Sequence, residues 1–184
     1  KIIFGIASIM KKIHQNNVYN RDLKLWKVLL DENFEPKIDC FGLTDFLAPP
    51  NKVEMAIGTP LYMAPEIFID GDDYYKLSID VYSYGILVYH MFTSEFAFDG
   101  LKKIRSSQQF MMNISRGRRP KRVENIPDHY WELIQKCWQQ DPNNRPTFEQ
   151  ITTMLKDDKF ALEEFGMKTD LEQLHEYQKR IDTD

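Results

Sequence analysis

A mainly α fold with one small β-hairpin is what this chain of 184 residues predicts, and three observations carry it. The opening stretch IIFGIASIMKKIHQ sets Ile2, Ile6, Ile9, Met10 and Ile13 at helical spacing. The stretch from Lys76, KLSIDVYSYGILVYHMFTSE, is apolar on nearly every face, as expected of a helix inside a core. Between them only two short apolar runs read as strands, Val28–Leu30 and Pro36–Ile38, with Asp31, Glu32 and Asn33 as the turn.

The remaining elements follow in order. Residues 43–65 carry several prolines and no clear period, so they read as a long loop. Long loops inside compact domains usually carry function. Helices are expected at about 104–116, 129–139 and 147–156, the last two punctuated by Asp141-Pro142 and Arg145-Pro146. Asp128 and Asp141 stand where caps are expected. The tail TDLEQLHEYQKRI places Leu171, Leu174, Tyr177 or Gln178, and Ile181 on one stripe, which is expected to dock on the same chain, with a partner as the alternative seat. The chain thus divides into a main domain over 1–157 and a helical tail over 158–184.

Composition narrows the function classes. An apolar fraction of 42% and a charged fraction of 28% belong to a folded globular domain rather than a disordered one. A formal net charge of -4 gives no bulk electrostatic case for nucleic acid. Cys40 and Cys137 lie far apart and in no metal-ligand spacing, so neither a disulfide framework nor a zinc site is expected, and the cytoplasm is the expected compartment. No run of about 18 apolar residues suggests a membrane span, and no signal peptide is visible. The start at Lys1 rather than methionine favours a fragment of a longer product.

Five motifs in order carry a resemblance: NRDLKLWKVLL, DCFGL, GTPLYMAPE, DVYSYGILV and CWQQDPNNRPTF. Together they resemble the catalytic loop, metal-binding turn, activation-segment end, central helix and last helices of the C-terminal lobe of eukaryotic protein kinases, over roughly residues 2–155. The catalytic loop falls at 20–28 and the activation segment at 40–66. The Cys-Trp and Asp-Pro pairs near the end look like the tyrosine kinase-like group. Lys24 and Gly58-Thr59 look like its serine/threonine type. The family's first lobe, with its glycine-rich loop and strand lysine, has no counterpart here, and no GxGxxG occurs in the chain.

What the resemblance implies is ATP and magnesium as cofactors and a protein as substrate or partner. Phosphoryl transfer asks a protein for geometry and charge rather than covalent chemistry. Asp22 matches the aspartate that orients the substrate hydroxyl, Lys24 the lysine that stabilises the transferred phosphoryl, and Arg21 the arginine that pairs with a phosphorylated activation loop. Asp80 matches the aspartate that holds the catalytic loop's backbone amides. Glu66 and Arg145 match a buried ion pair, and His14 a structural histidine. Trp138 reads as core.

Three positions depart from the family. Asn20 stands where histidine packs beneath the turn phenylalanine, matched by Phe41, so that stack is weakened. Lys27 stands where an asparagine oxygen ligates metal; a charged lysine is only a donor. Cys40 precedes Phe41 and Gly42 where aspartate grips magnesium, and a thiol suits that hard cation poorly. Losing one preorganised electrostatic contact typically costs ~10²–10³ in rate. Asp39 is one residue too early and on the opposite face of an extended segment. Lys27 either takes the metal's place by pairing with Asp22 or reaches solvent. Cys40 is either an inert apolar residue or a reactive cleft thiol.

Thr44 and Thr59 are candidate phosphorylation sites, Thr59 also matching a substrate-facing threonine. RGRRPKR over 116–122 reads as a solvated basic loop, or as a seat for an acidic partner. The function expected is a kinase-family lobe impaired in transfer, a pseudokinase that works in signalling by binding protein. The alternative is a divergent active serine/threonine kinase, once joined to its first lobe, in which Asp39 replaces the turn aspartate.

Overall fold

Helices dominate because the longest periodic stretches are helical and the strand runs are only three residues long. The computed structural model describes residues 1–39, 60–69, 76–93, 107–161, 163–164 and 167–183. In chain order these form α1 (Ile2–Gln15), β1 (Val28–Leu30), β2 (Pro36–Ile38), α2 (Glu66–Ile69), α3 (Ser78–Phe92), α4 (Ser107–Ser115), α5 (Asp128–Cys137), α6 (Phe148–Leu155), β3 (Glu163–Glu164), β4 (Met167–Lys168) and α7 (Leu171–Thr183). Cys40, Phe41, Gly42, Thr44 and Thr59 lie outside the described residues, as does most of the expected long loop.

Helix α3 is the axis of the core. All of its residues from Ile79 to His90 are buried, as its all-round apolar sequence demands. It packs on α5, while α1 packs on α6, β2 and α7. Gly85 lets α3 approach α5: a Cβ there would lie 2.7 Å from Cys137 Cβ. Trp138 is 5% exposed and stacks with Tyr89 and Trp131, a core residue as expected. β1 and β2 pair antiparallel in the register Val28↔Ile38, Leu29↔Lys37, Leu30↔Pro36. Among the described residues no helix is long and apolar enough to cross a membrane.

The structure corrects several expectations. The most buried residues of α1 are Ile3, Phe4, Gly5, Ile6, Ala7, Ser8 and Met10, while Ile2, Ile9 and Ile13 of the expected stripe are half-buried. Three neighbours surround this helix, so a one-sided stripe underestimates its buried face. Asp128 is no cap. It is the first residue of α5 behind Pro127, and its carboxylate pairs with Arg122 at 2.5 Å. Asp141 does cap, accepting from the Asn143 amide at the head of a short 3₁₀ turn. Thr147 is a cap rather than helix: with Gln150 it closes a reciprocal capping box before α6. The tail opens with a two-stranded ladder, Glu163↔Lys168 and Glu164↔Met167, before its helix. Two-residue strands leave too little alternation for a sequence pattern to show.

Candidate active site

The candidate site is built on the loop between α1 and β1. Arg21 takes a left-handed backbone, φ 62°, which costs a non-glycine residue about 1–3 kcal/mol unless its surroundings enforce it. Asp80, with no exposed surface, supplies the enforcement from α3. Its Oδ2 accepts from the Asn20 amide at 2.7 Å and its Oδ1 from the Arg21 amide at 2.8 Å. His14 donates from Nε2 to Asp80 Oδ2 at 3.0 Å. One buried carboxylate thus fixes the loop's backbone from below through two charge-assisted bonds, and a third ties it to α1. Asp80 thus stands under the loop's backbone amides, with His14 of α1 against it.

Asn20 is 3% exposed and turns its amide oxygen to the Asp22 backbone N–H at 3.2 Å. Its Nδ2 is buried and finds no hydrogen-bond partner among the described residues. Leu23 is fully buried behind it. These anchors carry Asp22 outward on the loop with its side chain 16% exposed.

Two ammonium groups meet on that carboxylate. Lys24 Nζ lies 2.7 Å from both Asp22 oxygens. Lys27 Nζ lies 2.8 Å from Asp22 Oδ2. Of the two sequence alternatives for Lys27, pairing with Asp22 is therefore the one observed. A 3₁₀ turn over Leu25–Lys27 brings Lys27 back toward Asp22, its amide donating to Lys24 O at 3.0 Å. The Asp39 amide then binds Lys27 O at 2.8 Å and ties this turn to the end of β2.

A second set of contacts, which sequence reading missed, braces the loop from the side. The Leu25 amide donates to the Tyr62 hydroxyl at 3.4 Å, and that hydroxyl donates to His90 Nδ1 at 2.6 Å. Burial lowers the His90 pKa, which favours the neutral ring that can accept. Trp26, 54% exposed, sets its ring edge-on to Tyr62 with centroids 5.5 Å apart. Lys24 Nζ lies 5.5 Å from the Trp26 ring centre. The sequence signal for this bracing is a histidine, His90, within the mostly apolar run of α3.

The scaffold pair expected of Glu66 and Arg145 is present. Arg145 Nη1 and Nη2 bind Glu66 Oε1 and Oε2 at 2.6 and 2.8 Å, a bidentate fork between α2 and the segment before α6. Arg145 also donates to the carbonyls of Gln139 and Ser78. In the basic segment 116–122 Arg116, Gly117, Arg118, Lys121 and Arg122 are exposed, while Arg119 and Pro120 are drawn inward. Arg119 donates to the carbonyls of Trp138, Ile114 and Arg118, and Arg122 to that of Ile126.

The donor set around Asp22 does not fit a magnesium ion. Lys24 and Lys27 offer only N–H groups, and the Asp22 carboxylate already holds both. Among the described residues no three His, Cys, Asp or Glu side chains come together as a ligand group. A hard divalent cation needs oxygen ligands, and the ammonium of Lys27 occupies the place beside Asp22.

Comparison with known proteins shows the family. The protein kinase domain family matches residues 1–155. A probable serine/threonine-protein kinase of Dictyostelium discoideum is 34% identical over 157 residues, covering 85% of this chain and 17% of that protein. An RGS domain-containing serine/threonine-protein kinase of the same organism is 36% identical over 152 residues, covering 83% of this chain and 13% of its own length. A dual serine/threonine and tyrosine protein kinase of Pimephales promelas is 32% identical over 148 residues, covering 79% of this chain and 16% of its own length. The chain therefore spans less than a fifth of each of these relatives.

Proposed function

We propose, from the premise that this chain belongs to the protein kinase family, that its lobe is impaired in phosphoryl transfer and serves signalling by binding protein. The observation that carries this reading is the Lys27 ammonium 2.8 Å from Asp22 Oδ2, opposite Lys24 at 2.7 Å. In the family the equivalent of Asp22 must be free to orient a substrate hydroxyl, and the equivalent of Lys27 must offer an oxygen to metal. Here one side chain removes both functions: it lacks a lone pair, and it neutralises the carboxylate. Cys40 in place of the turn's aspartate removes the second metal anchor at the level of sequence. The retained supports, Asp80 under the loop and Glu66 with Arg145 behind it, keep a lobe folded whether or not it transfers phosphate. ATP and magnesium remain the family's cofactors. The subgroup reading, tyrosine kinase-like and serine/threonine type, rests on the sequence pairs Cys137-Trp138 and Asp141-Pro142 and on Lys24. Binding protein in the cytoplasm is the role such a lobe retains.

The alternative, a divergent active serine/threonine kinase, draws on the Lys24–Asp22 contact and on relatives named as kinases. One experiment separates the two. The natural protein containing this chain is assayed for transfer from magnesium ATP, on itself and on a panel of proteins, beside Asp22→Asn. The expected outcome is no transfer from a folded, monodisperse preparation. Transfer that disappears in Asp22→Asn would install the alternative.

A further inference from the structure

The tail helix α7 lies across α1 and reaches the turn of the β1–β2 hairpin, whose other end carries Lys27 and Asp39. Its seat is specific. Tyr177, 5% exposed, sets its ring edge-on to Phe4 of α1 with centroids 6.3 Å apart. Its hydroxyl end lies over Gly5, where an added Cβ would also sit 2.5 Å from Pro36 Cγ of β2. Gly5 is thus the point at which α1, β2 and α7 meet, and any side chain there would separate them. Arg180 forms an ion pair with Glu35 in the hairpin turn. Glu35 also lies 3.5 Å from Lys1 Nζ, which donates to Asn33 O at 3.0 Å. Both Lys1 and Arg180 stand over the Tyr177 ring, 5.0 and 5.5 Å from its centre.

The hairpin transmits this anchorage. At the tail's end of the ladder the Asp31 amide binds Glu35 O at 3.1 Å; at the site's end the Asp39 amide binds Lys27 O at 2.8 Å. Between them lie only the three residue pairs of the ladder. A hairpin this short is marginal by itself, so its order depends on what it packs against. Of the thirteen residues of α7, only Tyr177 and Gln178 are buried, the latter donating to Leu155 O at 3.3 Å. Few buried contacts make a segment open locally at low cost. Beyond these, Ile181 packs partly against the core and α7 is held by the surface pairs Lys156 with Asp182 and His175 with Asp158. A helix with little burial thus adds to a hairpin that otherwise rests on α1 through β2, and the hairpin carries the backbone of the lysine that neutralises Asp22.

We propose that α7 is a detachable strap: docked, it orders the hairpin and holds Lys27 on Asp22; released, it loosens both. The strap itself stands on the packing just described. Only its consequence at Asp22 rests on the ion pair invoked for the function.

The test leaves the hairpin's sequence untouched and alters the tail alone. Amide hydrogen exchange is read on the full natural protein without nucleotide, for Tyr177→Ala, Arg180→Glu and the conservative Tyr177→Phe. The expected result for Tyr177→Ala is exchange at Asp31 and Asp39 faster by roughly tenfold, with the amides of α3 unchanged. Arg180→Glu, an exposed change that leaves the core intact, speeds the same two amides by about threefold, and Tyr177→Phe leaves them near the parent rate. Faster exchange in α7 with Asp31 and Asp39 at the parent rate would overturn the strap. If Tyr177→Ala opens the whole lobe, Arg180→Glu decides in the same way. Labelling of Lys27 by an amine-acylating reagent is read alongside. Labelling that rises with hairpin exchange supports the coupling to Asp22, and labelling that stays flat while the hairpin opens overturns it. Phosphoryl transfer by the parent protein would refute the proposed function without altering either readout.

Discussion

Arg145→Met should be among the most damaging single changes in this lobe, and its cost can be worked from the structure. Arg145 is 6% exposed and Glu66 5%. The change deletes two charge-assisted bonds of 2.6 and 2.8 Å. It also deletes the donors that reach Gln139 O at 2.9 Å and Ser78 O at 3.0 Å. What remains is a carboxylate buried without its counter-charge, a situation that costs about 3–5 kcal/mol. Against a typical domain stability of about 5–15 kcal/mol this is a large fraction. For a chain of this size each kcal/mol moves the melting temperature by roughly 2–4 °C, so a fall of roughly 6–20 °C is expected. Scanning calorimetry on parent, Arg145→Met, Glu66→Leu and the double variant supplies the measurement. The double variant should melt above Arg145→Met alone, because removing both charges leaves none stranded. A loss below about 1 kcal/mol in Arg145→Met, or a double variant that loses the sum of the two singles, would refute this reasoning.

Two further outcomes follow from burial. Desolvation raises the phenols of Tyr82 and Tyr177 to about 12, and those of Tyr84 and Tyr130 upward as well. Unfolded phenols lose their protons near pH 10, so the native state binds more protons above that pH. Stability is fully present below pH 10 and declines as pH rises toward 12, with Tyr82 alone accounting for roughly 3 kcal/mol. Urea titrations at pH 9, 10 and 11 check this, and all nine tyrosines ionising together near pH 10 in the folded protein would contradict it. Gly85→Ala places a Cβ 2.7 Å from Cys137 Cβ. Overpacking of about 1–3 kcal/mol should exceed the helix-propensity gain of about 1 kcal/mol. A variant that melts above the parent would show that α3 and α5 can part without loss.

Much of this lobe is written locally. Helix α3 was legible because twelve consecutive residues are buried on all sides, and a helix so placed must be apolar all round. The hairpin was legible because three-residue runs flank a turn of Asp31, Glu32 and Asn33. Asp80, Glu66 and Arg145 were legible because they fall on charged positions of the kinase-lobe motifs that the chain resembles. The failures have a common cause. The buried face of α1 was misplaced because its neighbours come from three distant segments. The capping role given to Asp128 went instead to a pairing with Arg122, a choice between local acceptor and tertiary partner.

By itself the sequence determined that a kinase-type lobe would form and that Lys27 and Cys40 could not serve magnesium as the family's oxygen ligands do, since ligand chemistry belongs to residue type. Whether Lys27 turns to solvent or to Asp22 depends on a 3₁₀ turn, a strand end and an amide bond from Asp39, none of which a side chain's identity dictates. The seat of Tyr177 on Gly5, 172 positions away in a chain of 184 residues, likewise exists only once α1, β2 and α7 are packed together. Contacts between remote segments carry no local period, so the tertiary structure alone decided them.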